Sequence, residues 1–284
     1  MVDLKERHIG LNVVGDKILI AANRSGGGLM VVDTLDDLKH LSHKGAFKNE
    51  SGTLHFGVSE KEAVIKRVRI PASTNLDREK LILFEFLASL PGKEENYYLE
   101  THNLNGCPEC LAVAYRRENI QRQIEECKSR LFAPSGFRLR SLAMASAFKH
   151  FSIPMGGDMI CLLDISGDDI TFCILDRGLP AAIGQLSNDY VCLEKEIYNT
   201  RGLLVDLAAI LQYHLSLLFT GGHSAPLSLV ILSGTEANAD LAAIIGEKLK
   251  IKTLLPEFRS ELLAGDLIPS AHQYFINLGL TVGF

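Results

Sequence analysis

The sequence carries a hairpin-like segment that recurs 152 positions further along the chain. The first copy reads Leu11-Asn12-Val13-Val14-Gly15-Asp16-Lys17-Ile18, and the second reads Leu163-Asp164-Ile165-Ser166-Gly167-Asp168-Asp169-Ile170. Each copy ends an apolar strand with Asn or Asp, turns at a Gly-Asp pair and returns as a second strand. Self-similarity at this distance indicates a duplicated unit and not a short solenoid repeat. The alternative is that two unrelated hairpins share common turn chemistry.

The rest of the chain reads as alternating strands and helices on both sides of a boundary at Pro154-Met155-Gly156-Gly157. In the first half, apolar patterning predicts strands over 9–13, 17–22, 29–32, 53–58, 64–70, 111–115 and 137–142, and helices over 34–43, 77–90, 118–132 and 143–151. In the second half it predicts a strand meander from residue 159, helices over 191–200 and 203–218, a buried strand over 227–232 and a helix over 238–249. The class is therefore α/β.

Composition excludes several classes of protein. With 47% hydrophobic residues and a net charge of −5, the 284-residue chain is neither disordered nor a general nucleic-acid binder. The longest apolar stretch, 203–219, contains Asp206, Gln212 and His214, so we interpret it as a buried helix and His214 as a structural residue. Charged residues 1–8 lack the apolar run of a signal peptide. We expect a soluble cytoplasmic protein.

Two meander-plus-helix lobes, each opening with an Asp- or Asn-ended hairpin, resemble the actin, Hsp70 and sugar-kinase superfamily. Within it, the chain is similar to the PilM family of type IV pilus assembly proteins in segments 58–71, 81–91, 111–117, 139–148, 207–219, 232–235 and 277–280. The resemblance implies a duplicated RNase-H-like (actin-like) two-lobe fold. The first lobe would span 1–156, with an inserted α/β subdomain at about 64–135, and the second lobe would span 157–284 with a reduced insertion of about 15 residues near 188–202.

The resemblance also implies where a nucleotide would bind: Asn12, Gly15, Asp164, Gly167, Ser233, Gly234 and Thr235. The first hairpin departs from the family pattern, because Asn12 replaces an Asp and Val14 replaces a Gly that lets backbone amides approach phosphates. In the second hairpin, Asp168 and Asp169 would face a triphosphate and repel it. These departures favour a degenerate site with no catalytic residue, no cofactor and no metal. The alternative is a functional ATPase or kinase that binds ATP and Mg²⁺.

By resemblance, the function is that of a cytoplasmic scaffold in a type IV pilus or type II secretion-like assembly. Its partner would be the N-terminal cytoplasmic tail of a single-span inner-membrane protein, which alone would bring the chain to the inner face of the bacterial inner membrane. The tail would lie in a groove formed by the strand 64–70, the helix 81–90 and the segment 111–115. Its contacts would be Arg67, Arg69, Phe84, Phe86 and Leu87.

The cysteines offer one more motif. Cys107-Pro-Glu-Cys110, with His102 upstream, has the spacing of half a zinc ribbon or of a redox dithiol. No second ligand pair follows, so a loop turn between strands is the preferred interpretation and no zinc is expected. Cys161, Cys173 and Cys192 lie in or beside apolar segments and are interpreted as small buried hydrophobic residues.

Overall fold

The computed structural model describes residues 8–14, 17–23, 29–32, 53–69, 78–103, 109–129, 134–152, 159–167, 169–187, 226–258 and 271–282. The helices predicted over 34–43, 191–200 and 203–218 lie outside these residues, as do Gly15, Asp168, Cys107 and Cys192.

The first half of the chain holds eight described strands and three described helices. These are β1 (His8–Val14), β2 (Lys17–Asn23), β3 (Leu29–Val32), β4 (Thr53–Val58), β5 (Ala63–Arg69), α1 (Arg78–Leu87), β6 (Tyr97–Asn103), β7 (Glu109–Arg116), α2 (Arg117–Ser129), β8 (Pro134–Leu139) and α3 (Arg140–Phe151). The second half holds β9 (Met159–Ser166), β10 (Asp169–Asp176), β11 (Leu179–Ser187), β12 (Leu229–Ser233), α4 (Ala239–Leu249), β13 (Lys252–Leu254) and α5 (Phe275–Leu280).

Two five-stranded sheets have the same strand order. The first is β3-β2-β1-β4-β8 and the second is β11-β10-β9-β12-β13. In each sheet, the three strands that come first in the chain (β1–β3 or β9–β11) form an antiparallel meander. The other two strands run parallel to β1 or to β9. The hairpin registers also match, since Asn12 pairs with Leu19 and Asp164 pairs with Thr171. The duplication predicted from the repeat is therefore confirmed.

A third sheet, β5-β7-β6, lies between β4 and β8 in the chain and forms the inserted subdomain together with α1 and α2. Its central strand β7 is buried along 110–115, and α1 covers one face of the sheet through Ile82 and Phe86 against Val68. Strand β6, an edge strand rich in polar residues, was not predicted from the sequence, and neither was the three-residue strand β13.

Helices α3 and α5 join the two lobes. One apolar cluster includes residues of both five-stranded sheets, such as Leu11 and Phe56 in the first and Leu162 and Ile231 in the second, with Phe275 of α5 among them. The Asn277 side chain donates to Gly10 O (3.2 Å) and Leu19 O (2.7 Å), which fixes α5 to the first sheet. The end of the chain thus returns to the first lobe, across the boundary predicted at 156–157.

Among the described residues, no helix combines the length and the apolar character needed to cross a membrane.

Candidate functional site

The carboxyl group of Asp164, at the end of β9, is bonded by two hydroxyl groups of its own lobe. Its side chain is only 2% exposed. Ser166 Oγ donates to Asp164 Oδ1 (2.6 Å), and Ser233 Oγ donates to Oδ2 (3.0 Å). Burial raises the pKa of this carboxyl, and the two hydroxyl bonds offset only part of the rise. Asp164 therefore links the second hairpin to the turn that follows β12.

The glycine-containing turn after β12 uses its backbone amides within the protein. Gly234 N donates to His272 O (3.0 Å), and Glu236 N donates to Ile165 O (3.1 Å). Thr235 N donates to Ser166 Oγ (3.2 Å). Gly234 has φ +106°, and a Cβ there would lie 2.3 Å from Ile165 O, so the turn requires glycine. The amides of these three consecutive residues thus all have partners within the protein.

In the first hairpin, Asn12 holds the position that corresponds to Asp164. Its side chain is 2% exposed, and its Oδ1 accepts no hydrogen bond from the described residues. The Cβ position of Gly57 lies 3.1 Å from that oxygen, so the amide packs against the neighbouring strand β4. The next carbonyl, Val13 O, accepts a hydrogen bond from Arg140 Nη2 (2.7 Å).

Arg140, the first residue of α3, crosses from the first hairpin to the second. Its Nη1 donates to Asp169 Oδ2 (2.6 Å), while Nη2 holds Val13 O. Lys61 Nζ lies 3.3 Å from Asp169 Oδ1. Gln185 Nε2 donates to the same oxygen (2.5 Å), and Ser59 Oγ donates to Gln185 Oε1 (2.5 Å). We call these five residues (Ser59, Lys61, Arg140, Asp169 and Gln185) the interlobe cluster.

The interlobe cluster changes the interpretation of Asp169. The sequence predicted that its carboxylate faces a bound triphosphate, but the carboxylate instead pairs with Arg140 and Lys61 of the first lobe. Partial burial alone would raise the pKa of Asp169, yet Arg140 and then Lys61 outweigh burial and lower it. Its neighbour Asp168 lies outside the described residues.

Glu60 is a second carboxylate of this region that the sequence did not reveal. It is 5% exposed, and its Oε1 accepts from Ser141 N (2.8 Å) in the first turn of α3. Burial raises the pKa of Glu60, although Ser141 and Arg140 counteract part of the effect. This bond from a distant carboxylate explains why α3 begins at residue 140, three residues before the predicted start, although Leu139 makes no side-chain cap.

Arg140 was missed because the sequence predicted a strand over 137–142 and a helix that begins only at residue 143. Arg140 stands in the first turn of a helix that has no acidic residue in that turn. The helix dipole disfavours a cation at this end, so an arginine there needs an anion from elsewhere in the chain. Asp169 is that anion.

The described residues fit Mg²⁺-ATP poorly. Asp164 is buried and bonded by hydroxyl groups, Asn12 is neutral, and Arg140 bridges the two hairpins between which a phosphate chain would pass. Of the other predicted nucleotide contacts, Gly167 is exposed in the turn of the second hairpin, and Gly15 is outside the described residues. We derive no catalytic step from this arrangement.

The five predicted partner contacts do not share one surface. Arg67 and Arg69 lie on the face of β5 opposite Val68, and α1 covers the Val68 face. On α1, Phe84 is 76% exposed and Leu87 is half-buried, whereas Phe86 is 1% exposed in the subdomain core. The segment 111–115 is equally buried. Since α1 packs directly on the sheet, the predicted groove between them is filled by side chains.

A cavity of about 460 Å³ does separate the first core sheet from the inserted subdomain, on the α2 side. Its lining residues are Leu11, Val13, Phe56, Gly57, Ser59, Glu62, Arg122, Gln123, Glu126, Cys127 and Arg140. The sheet side is apolar, with Val13 44% exposed. The α2 side is polar, and Arg122 Nη2 lies 3.2 Å from Glu62 Oε1.

The cysteine motif has no metal cluster around its described part. Cys110 is fully buried in β7, and His102 Nε2 lies 3.0 Å from Glu100 Oε1. Within the described ranges, no group of three potential metal ligands comes together. Cys161 and Cys173 are buried in the second lobe as predicted, and burial raises the pKa of Cys161 to about 12.

Solved structures of other proteins resemble the structure of this chain. No protein-family model and no curated protein matches the sequence. The PilM-PilN type IV pilus biogenesis complex superposes with a TM-score of 0.69 at 15% identity, over 96% of this chain and 97% of that chain. An actin-like ATPase-fold protein of unknown function from Bacteroides thetaiotaomicron gives 0.51 at 13% identity over 100% of both chains. The cytoplasmic domain of EpsL from the Vibrio cholerae type II secretion system gives 0.47 at 11% identity, over 86% of this chain and 94% of that chain.

The first two structures align with 96% and 100% of this chain, and therefore with both of its lobes. At these identities the likeness defines the fold. The resemblance predicted from the sequence is thereby confirmed: the chain has the two-lobed actin-like fold in a PilM-like form.

Proposed function

We propose that this chain is a non-enzymatic scaffold of a type IV pilus or type II secretion-like assembly, and that it holds the N-terminal cytoplasmic tail of a single-span inner-membrane protein. The observation that carries the proposal is the full-length likeness to a structure solved as the PilM-PilN complex. Such a scaffold acts in the cytoplasm at the inner face of the inner membrane, where its partner anchors it.

The cavity between the first core sheet and α2 is the best supported place for the tail. It combines an apolar side containing the exposed Val13 with the polar residues Glu62, Arg122 and Glu126. An extended peptide needs an apolar anchor and polar groups that fix its direction. Phe84, on the far side of the subdomain sheet, is a second exposed apolar residue.

Three single substitutions to Gln test which of these two surfaces binds the tail. Val13, Phe84 and Ile244 are the exposed large hydrophobic residues among those described, with 44%, 76% and 41% exposure. Each is changed to Gln, a neutral residue that adds no charge beside Arg140. Tail peptides of single-span membrane proteins encoded beside this chain's gene are titrated by fluorescence anisotropy.

We expect Val13→Gln to weaken binding by about tenfold, which is about 1.4 kcal/mol, because it removes an apolar anchor from the cavity. Ile244→Gln, in α4 of the second lobe, is the matched control and should bind like the unmodified chain. A loss confined to Phe84→Gln would instead place the tail on α1. If no tail binds the unmodified chain, the proposed function is wrong.

The non-enzymatic part of the proposal has its own measurement. A ligand present at 100 times its Kd stabilises a protein by about 2.7 kcal/mol, a clear rise in melting temperature. We expect no such rise with millimolar Mg²⁺-ATP, because Arg140 bridges the two hairpins and already pairs with Asp169. A rise with ATP that AMP does not produce would favour the alternative of an active ATPase or kinase.

A further inference from the structure

The two lobes are joined at their cleft by ion pairs in which one lobe supplies the anion and the other supplies both cations. We propose that Asp169 substitutes for an anionic ligand. Its carboxylate occupies a site formed by Arg140 and Lys61 and keeps the two lobes closed without a bound phosphate. Removal of its carboxylate should uncover a site for a phosphate group at the same place. This inference concerns the cleft and stands independently of tail binding.

The geometry is that of a bound anion. Asp169 Oδ2 accepts from Arg140 Nη1 (2.6 Å), and Oδ1 accepts from Gln185 Nε2 (2.5 Å) with Lys61 Nζ at 3.3 Å. Both carboxylate oxygens thus have partners, and two of the three partners belong to the first lobe. Short charge-assisted bonds of this kind are about twice as strong as neutral ones.

Arg140 needs an anion at this position. Its side chain is 10% exposed, and it stands in the first turn of α3, where the helix dipole disfavours positive charge. An arginine in such surroundings that loses its partner is strongly destabilising, because the charge stays buried without compensation. The demand for an anion therefore remains when Asp169 is removed.

The site is also open to an anion from solution. The side chains of Lys61 and Asp169 are 48% and 29% exposed, so the cluster reaches solvent on the Lys61 side. Glu60 and Asp164 also interact with Arg140, but both carboxyls are buried, and burial raises their pKa values. Each already accepts hydrogen bonds from its own neighbours, so removal of the Asp169 carboxylate leaves Arg140 and Lys61 without their shared anion.

The test compares Asp169→Ala with the unmodified chain in inorganic phosphate and in sodium chloride of equal ionic strength. We expect the variant to melt at a lower temperature in chloride, and to regain stability in phosphate with a saturable dependence on concentration. The unmodified chain should show no phosphate-specific gain, because its site is filled. Asp240→Ala, an exposed acidic residue of α4, controls for the loss of one negative charge elsewhere.

Further variants separate the alternatives. The double variant Arg140→Gln/Asp169→Ala should lose the response to phosphate. Asp169→Asn keeps the shape of the side chain and should fold, but its amides at 59–62 and 140–142 should exchange hydrogen about tenfold faster as the lobes open. The proposal is wrong if Asp169→Ala gains nothing specific from phosphate, if the double variant still responds, or if Asp169→Asn retains full protection.

Discussion

Asp169 and Glu60 both interact with Arg140, yet the pKa values of their carboxyls are displaced in opposite directions. Asp169 is partly exposed and paired with two cations, so its pKa is lowered. Glu60 is buried against the start of α3, so desolvation raises its pKa despite the bond from Ser141 N. The two residues should therefore give stability opposite dependences on pH.

For Asp169, the folded state binds its proton less tightly than the unfolded state does. Its contribution to stability is complete above the unfolded pKa of about 3.9 and is lost as the pH falls toward the lower folded value. For Glu60 the folded state binds the proton more tightly, so its contribution is complete below about 4.3 and is lost as the pH rises through the raised folded value.

Urea unfolding of the unmodified chain, Asp169→Asn and Glu60→Gln between pH 3 and pH 8 measures both effects. The destabilisation caused by Asp169→Asn should be greatest at neutral pH and should shrink below about pH 4. Glu60→Gln should gain relative to the unmodified chain as the pH rises above about 4.3. Curves for the three proteins that stay parallel over this range would contradict both assignments.

The sequence predicted which residues depart from the pattern of a nucleotide site, but it did not predict the contacts that these residues make. Asn12 was recognisable because a repeat placed it opposite Asp164. Nothing in the sequence indicated the three residues that contact Asp169, namely Arg140, Lys61 and Gln185. They are 29, 108 and 16 residues away from it, and no local pattern indicates contacts over such distances.

Helices α3 and α5 cross at Gly279, where their backbones lie in close contact. A Cβ at Gly279 would lie 1.7 Å from Ala143 O and 2.4 Å from its carbonyl carbon. These are backbone atoms of a buried helix, which cannot move aside as the end of a side chain would. Both helices carry apolar residues that join the lobes, so the crossing affects the whole molecule.

We therefore expect Gly279→Ala to destabilise the chain by about 3 kcal/mol, measured by urea unfolding. Gly246→Ala in α4 is the control, since its nearest atom, Ile251 O, lies 3.2 Å from the Cβ position. There the gain of about 1 kcal/mol in helix propensity offsets the tighter contact, and the net change should stay within about 1 kcal/mol. Equal effects of the two changes would show that the crossing has room to adjust.

The elements that the sequence predicted are those with a strong apolar period or a defined turn. Strand β7 and helix α2 were found at nearly their predicted bounds, because burial of one face or of both leaves a clear pattern. The edge strands β6 and β13 were missed, since few apolar residues mark them and their neighbours supply the pairing. The start of α3 was misplaced because its stabilising carboxylate, Glu60, comes from 81 residues away.

At the scale of the whole molecule, the cavity and the cleft share residues. Arg140 and Ser59 line the cavity beside the first sheet, and both also belong to the interlobe cluster. Asp169 and Gln185 belong to the cluster but do not line the cavity. Closure of the lobes therefore positions Arg140 and Ser59 in the proposed docking site. In this way lobe closure and tail binding are coupled.

We expect that opening the cleft weakens tail binding even though the tail touches neither Asp169 nor Gln185. If Arg140 and Ser59 are in place for only a fraction of the time, the apparent Kd rises by the inverse of that fraction. Asp169→Asn should thus weaken binding of a tail peptide about threefold or more in calorimetric titration. Because coupling is reciprocal, a saturating tail should slow hydrogen exchange at 59–62 and 140–142 in the same variant. Faster exchange in the variant together with an unchanged Kd would show that cavity and cleft act independently.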